Sequence, residues 1–177
     1  FVLFNNNIEE AGALSFVGQD LNQSGRLGAE LLHCNEKKPG TYAILHVFDD
    51  VQNSVHLYEK EKGFKEYFQN EPGTFNVKSI DLNYTHQPTL EKELNDLLLD
   101  KDLKGLLVTT SKGANIVSRL LEKHGKNGIR LVAYDMLKEN LHYLNRGTID
   151  FLINQNSKRQ AFVGIGHLSN YLLFKKD

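Results

Sequence analysis

The segment Tyr42-Ala43-Ile44-Leu45-His46-Val47-Phe48 is apolar throughout except at His46. A strand with one face in water alternates apolar and polar residues. A continuous run instead requires cover on both faces, which is the condition of a strand inside a parallel sheet. Gly105-Leu106-Leu107-Val108-Thr109-Thr110 and Ile129 to Tyr134 have the same character. Parallel neighbours cannot be joined by a tight hairpin, so each strand must be followed by a crossover, usually a helix.

The intervening segments supply those helices. Leu27, Leu31 and Leu32 mark one side of a helix over about Asn22 to His33. A second helix is expected from about Ser54 to Gln69, with Ser54 as N-cap and Val55, Tyr58, Phe64 and Phe68 as its inner stripe. Pro88 opens a third, where its missing N–H costs nothing, and Leu90, Leu94, Leu97 and Leu98 follow at helical spacing. Further helices are predicted over about Gly113 to His124, Lys138 to Asn145 and Ser157 to Leu173. Leu14 to Gly18, Val77 to Leu82 and Phe151 to Asn154 read as the remaining strands.

Strands alternating with helices of this length define an α/β chain with three αβα layers. The expectation is a doubly wound, mostly parallel sheet of about six strands, its topology set by right-handed crossovers. With 177 residues, 40% of them apolar, the chain has material for a real core. It shows no internal repeat or low-complexity stretch, so we expect one domain over residues 1–177.

Several functions lose support at this level. The net charge of -1 is spread along the chain, which argues against a phosphate-binding surface in this segment. No apolar run approaches the roughly 20 residues that span a membrane. The single cysteine, Cys34, rules out an internal disulfide framework and fits a reducing compartment, or one where stability does not depend on disulfides. There is no phosphate loop of the G-x-x-x-x-G-K-[ST] type and no G-x-S-x-G elbow. Gly164-Ile165-Gly166 lies late in a helix, where it cannot cradle phosphate. The seven histidines show no metal-ligand spacing. Asp49-Asp50 after an apolar strand leaves a receiver- or phosphatase-like acidic pocket as a minor alternative. We therefore expect no enzyme activity, cofactor or metal.

Open α/β sheets bind ligands outside the carboxyl ends of their strands. Those ends deliver Asp20, Asn22 and Gln23; Asp49-Asp50, with Lys60 further into the next helix; Asp81, Asn83, Tyr84 and His86; Thr109, Thr110 and Ser111; Asp135; and Gln155 with Asn156. Carboxylates accept from hydroxyls, and amides both donate and accept. Tyr84 offers a ring to stack on a sugar face. Taken alone, any one of these residues reads first as a helix cap and only second as a ligand contact. Together on one edge they point to a polar small-molecule site.

VGQDLNQSGRLGAELL resembles the V-G-x-D-N-x-x-x-G-R-x-A-A-x-x-L segment of LacI/GalR-type regulators and type 1 periplasmic binding proteins. YEKEKGF resembles their R-x-x-G-F. GLLVTTSKGANIVSRLLEKHG is similar to G-[IL]-F-[VA]-x-N-D-x-x-A-x-G-x-x-x-A-L-x-x-x-G. RLVAYDMLKENLHYLNRGTIDFLINQNSKRQAFVGI is similar to the family's last segment, from V-x-G-[FY]-D to [IV]-x-Q-x-P-x-x-Q-G. The motifs occur in order and span nearly the whole chain.

The family's module has two α/β lobes with the ligand clamped between them. The resemblance begins late in that module and stops before the segment that crosses back. It therefore implies that residues 1–177 are the C-terminal lobe, without the N-terminal lobe or a DNA-binding headpiece. By motif, Asp20 and Asn22 match the D-N pair, Lys60 the arginine that grips ligand, Thr110 and Ser111 the N-D pair, Asp135 the aspartate after [FY], and Gln155 the glutamine before the last helix. Lys60 is a single ammonium where the family has a guanidinium fork. Thr110-Ser111 removes an amide and a charge, and Asn156-Ser157 replaces the Q-x-P continuation.

The resemblance further implies the effector-binding part of a cytoplasmic, homodimeric regulator. A carbohydrate would close the cleft, and operator DNA would be held by a helix-turn-helix outside this chain. Leu120, Leu121, Leu141 and Tyr143 are candidates for a dimer face or for core. The alternative is an extracytoplasmic sugar-binding protein or sensor.

Overall fold

The computed structural model describes residues 1–5, 7–34, 37–48, 55–126 and 128–175. The chain divides into two compact units, one formed by Phe1–Asp20 with Gln155–Asp177, the other by Leu21–Asn154.

The continuous unit holds the sheet. Its elements are α1 (Leu21–His33), β3 (Gly40–Phe48), α2 (Val55–Asn70), β4 (Phe75–Asn83), α3 (Gln87–Leu98), β5 (Leu103–Val108), α4 (Gly113–His124), β6 (Arg130–Tyr134), α5 (Lys138–Asn145) and β7 (Phe151–Ile153). The sheet has five strands in the order β4-β3-β5-β6-β7, all parallel. From β3 the chain moves outward to β4, then returns to the other side of β3 to lay down β5, β6 and β7. The strand order thus reverses between β3 and β5, the switch point at which such sheets open a crevice.

The pleat of β3 sorts its side chains between two cores, as strand geometry requires. Tyr42 and Ile44 join Ala29, Leu32, Phe64 and Phe68 beneath α1 and α2. Ala43, Leu45 and Val47 join the leucines of α3 and α4 on the opposite face. Leu120 and Leu121 belong to this second core, with Tyr143 packed against it, so the first two are not dimer-face residues. Phe64 and Phe68 are buried as expected, but Tyr58 is 52% exposed. Ser54, Asp49 and Asp50 lie outside the described residues, as does the side chain of Val55.

Two glycines let α1 and α2 cross closely. A Cβ on Gly25 would lie 1.8 Å from the Lys60 carbonyl oxygen, and one on Gly63 would lie 1.9 Å from that of Asn22. The contact leaves no room for any larger residue.

The other unit contains β1 (Val2–Phe4), a 3-10 turn (Glu9–Ala11), β2 (Ser15–Val17) and α6 (Ser157–Phe174). The strand expected near Leu14 to Gly18 is β2, but it pairs in parallel with β1 and not with the large sheet. This accounts for five strands there where about six were expected. Ser15 Oγ lies 2.8 Å from His167 Nδ1. Asn156, at φ 51°, caps α6 by accepting from Arg159 N. Ser157 therefore opens the helix without being its cap.

A polar edge at the switch point

Thr109, Thr110 and Ser111 leave the end of β5, and each is tied differently. Thr109 N and Thr109 Oγ1 both donate to Leu45 O, each at 3.0 Å. Thr110 Oγ1 donates to Val47 O at 2.8 Å, which stitches β5 to β3 beside the switch point. Ser111 O accepts from the side chain of Asn140 at 3.2 Å.

Lys60 reaches this edge from α2. It is 3% exposed, and its ammonium donates to Thr109 O at 3.3 Å. Burial pulls its pKa down from 10.5 to about 8, with Asp135 acting in the opposite direction. The same ammonium lies over the face of Tyr134. The Tyr134 hydroxyl donates to Ser24 O at 3.1 Å, which leaves it to accept from Ser24 Oγ at 2.9 Å. Burial pushes Tyr134 up to about 12, so it stays a neutral donor.

Asp135 follows directly at the end of β6, with φ 65° and its N–H donated to Ile153 O at 3.0 Å. That left-handed conformation is uncommon for a residue with a side chain, though aspartate tolerates it better than most. It turns the backbone sharply at the sheet edge. Asn22 sits at the start of α1, where its amide donates to Glu66 Oε2 at 3.5 Å.

Beneath the edge lies a network that the sequence reading did not single out. His46, 1% exposed, bridges Thr109 Oγ1 at 3.1 Å and Glu61 Oε2 at 3.0 Å. Against the upward pull of burial, hydrogen bonds from Lys65, Ser79 and His46 hold the Glu61 carboxyl below its usual range. Asn140 is the other omission. One available signal was its place inside a short helix, where asparagine is unfavourable unless its side chain has a backbone partner. His46 was marked too, as the one polar residue in an apolar strand.

The predicted residues therefore fall in both units. Lys60, Thr110, Ser111 and Asp135 gather at the C-terminal edge of the large sheet, and Asn22 lies on α1 of the same unit. Asp20 and Gln155 belong to the other unit, where the Gln19 side-chain amide donates to Gln155 Oε1 and Gln160 Nε2 donates to Gln155 O at 2.8 Å. Tyr84 packs, half-buried, against the α3–α4 core. At the end of β4, Asp81, Asn83, His86, Thr89, Leu90 and Glu93 line a shallow cleft of about 160 Å³.

Residues 1–176 match the periplasmic binding protein domain. The chain belongs to that family. Among solved structures, this family member is similar to a putative LacI transcriptional regulator from Bacteroides fragilis, with 28% identity and a TM-score of 0.86 over 99% of this chain and 61% of that one. It is also similar to GanP, a glucose-galactose binding protein from Geobacillus stearothermophilus, with 19% identity and a TM-score of 0.82 over 99% of this chain and 62% of that one. A sugar-binding protein of a sugar ABC transporter from Bacillus halodurans matches at 20% identity and a TM-score of 0.84, over 96% of this chain and 57% of that one. The periplasmic-binding-protein chain thus spans about three fifths of the length of these solved relatives. No curated protein sequence matches it significantly.

Proposed function

We propose that this chain supplies one lobe of a sugar-binding cleft in the effector module of a LacI-type transcription regulator. The reading rests on one observation: Thr110, Ser111 and Asp135 follow the ends of two neighbouring strands beside the switch point of a doubly wound sheet, where the buried ammonium of Lys60 bonds Thr109 O. Their hydroxyls, carboxylate and backbone groups suit a ligand rich in hydroxyls. The charges of Lys60 and Asp135 offset one another, which favours a neutral hexose over a sugar phosphate. Asn22, on α1 of the same unit, is a further proposed contact, and Asp20 and Gln155 are proposed contacts of the other unit.

The regulator assignment draws on the 28% identity to the putative LacI regulator, against 19% and 20% to the two sugar-binding proteins. The single cysteine agrees with a cytoplasmic setting. Closing the cleft would shift the balance between two states of a homodimer, which needs only a difference in ligand affinity between them. Operator DNA would be contacted by a helix-turn-helix outside these residues. The likeness to GanP favours a second reading, an extracytoplasmic sugar-binding protein or sensor.

Calorimetry on the complete protein with D-glucose, D-galactose, D-allose and L-arabinose tests the ligand class. Selection of DNA from a random pool tests the regulator. DNA binding that changes when sugar is added is the expected result. Sugar binding with no DNA selected supports the second reading. Asp135→Ala should weaken sugar binding by roughly ten- to a hundredfold, the loss of a hydrogen bond to a buried partner. Unchanged affinity in that variant removes Asp135 from the site.

A further inference from the structure

Asn140 lies in α5, is 1% exposed, and directs one side-chain nitrogen at three backbone carbonyls. Nδ2 donates to Tyr134 O and Asp135 O, each at 3.1 Å, and to Ser111 O at 3.2 Å. The orientation of the amide is dictated by its partners, because the reverse orientation would set its oxygen against three carbonyl oxygens. Two N–H bonds serve three acceptors, so one is shared between carbonyls. Oδ1 is buried and finds no hydrogen-bond partner among the described residues. An amide buried with one end unsatisfied is tolerated where its other end has work to do.

The three carbonyls come from the two strand ends that carry the proposed ligand contacts. Ser111 belongs to the turn between β5 and α4, Tyr134 is the last residue of β6, and Asp135 opens the turn between β6 and α5. The backbone of Asp135 is in the left-handed region, a conformation that persists only where its surroundings hold it. Asn140 Nδ2 holds the carbonyl of that same residue. The strands beneath do not do this alone, because the β5–β6 register ends at Leu107 and Val132, below both turns.

We propose that Asn140 is a positioning residue for the ligand edge, fixing the spacing and orientation of the Ser111 and Asp135 turns through their carbonyls. It touches no ligand. The inference rests on the reading of Ser111 and Asp135 as ligand contacts. It adds that sugar selectivity is set from behind, by an amide whose loss loosens two turns together. A buried asparagine used only for packing would not couple them.

The test uses the complete protein and the variants Asn140→Asp, which keeps the volume without the N–H donors, and Asn140→Ala. Amide hydrogen exchange is followed by mass spectrometry, with affinities for D-glucose, D-galactose and D-allose measured well below the unfolding temperature. In both variants, peptides over residues 109–113 and 134–138 should exchange at least about tenfold faster while β3 and β4 stay protected. The ratio of affinities among these epimers should narrow. Exchange that rises evenly through α5 and the sheet overturns the proposal, as does protection unchanged in both turns. Loosened turns with unaltered epimer ratios also overturn it, provided Asp135→Ala has lost binding. If the unaltered protein binds none of the three sugars and the turns still loosen together, the coupling stands and the hexose reading falls.

Discussion

Lys60 Nζ lies 3.8 Å from the centroid of the Tyr134 ring, on the same ammonium that bonds Thr109 O. Partners this weak do not replace the hydration of an ammonium, and burial takes its pKa from 10.5 to about 8. The folded state therefore holds this proton less tightly than the unfolded chain. The group's contribution to stability is complete above pH 10.5 and is lost as pH falls through 8. Relative to Lys60→Met, the wild-type protein should gain on the order of 3 kcal/mol between pH 8 and 10.5. At pH 7 the methionine variant should be as stable or more so. Urea unfolding across this pH range checks both points, and parallel curves for the two proteins would contradict them.

The crossing of α1 and α2 makes a second prediction. Gly25→Ala places a methyl 1.8 Å from a backbone carbonyl, and backbone cannot rotate away as a side chain does. The variant should lose about 1–3 kcal/mol or more through overpacking. Gly166→Ala in α6 meets nothing within 4 Å and should gain up to about 1 kcal/mol of helix propensity. Chemical denaturation of the pair, with opposite signs expected, separates tight contact from a general intolerance of the added methyl.

His33 predicts sensitivity to acid. The ring is wholly buried among Tyr42, Tyr67, Phe68 and Phe75. Burial lowers its pKa below 6.5, with Glu71 opposing and Lys37 and Arg130 adding to the decrease. The neutral ring is the form the fold accepts, so its contribution is present above pH 6.5 and is lost as pH falls below that value. His33→Leu should flatten the fall in unfolding midpoint between pH 7.5 and 5. A fall of unchanged steepness would place the acid sensitivity elsewhere.

The outer surface of α6 carries Phe162 at 77%, Ile165 at 65% and Leu173 at 73% exposure. Apolar side chains grouped on one helix bind environment-sensitive dyes. The 177-residue chain should enhance 8-anilinonaphthalene-1-sulfonate fluorescence, and Phe162→Ser with Ile165→Ser should remove most of the signal. A bright signal in the double variant would locate the dye on another surface.

The parts legible from sequence are those written in local periodicity. β3, β5 and β6 are buried on both faces and read as apolar runs, and the leucines of α3 and α4 sit at helical spacing. The family segments fixed the fold class, and the parallel sheet agrees with it. What escaped depends on contacts between distant residues. β2 has the same apolar character as the sheet strands, and only its pairing with β1 sets it apart. Tyr58 fits the helical stripe of α2, yet its neighbours do not cover it. His46 was visible as an oddity, but its bridge between Thr109 and Glu61 spans three elements. The amide of Asn140 gains its meaning from carbonyls, which no side-chain pattern records.

The unit that carries the large sheet is one unbroken stretch, Leu21–Asn154, while the other is assembled from both ends of the chain. During synthesis, every residue of the sheet has been made before α6 is translated. Its parallel pairings close over one β-α-β segment each, or over two for β3–β5, so each can form as its strand emerges. β1 and β2 precede the sheet in the chain, yet they must wait for α6 to find their partner. The order of translation therefore differs from the order of completion, and two strands made before the sheet are buried after it.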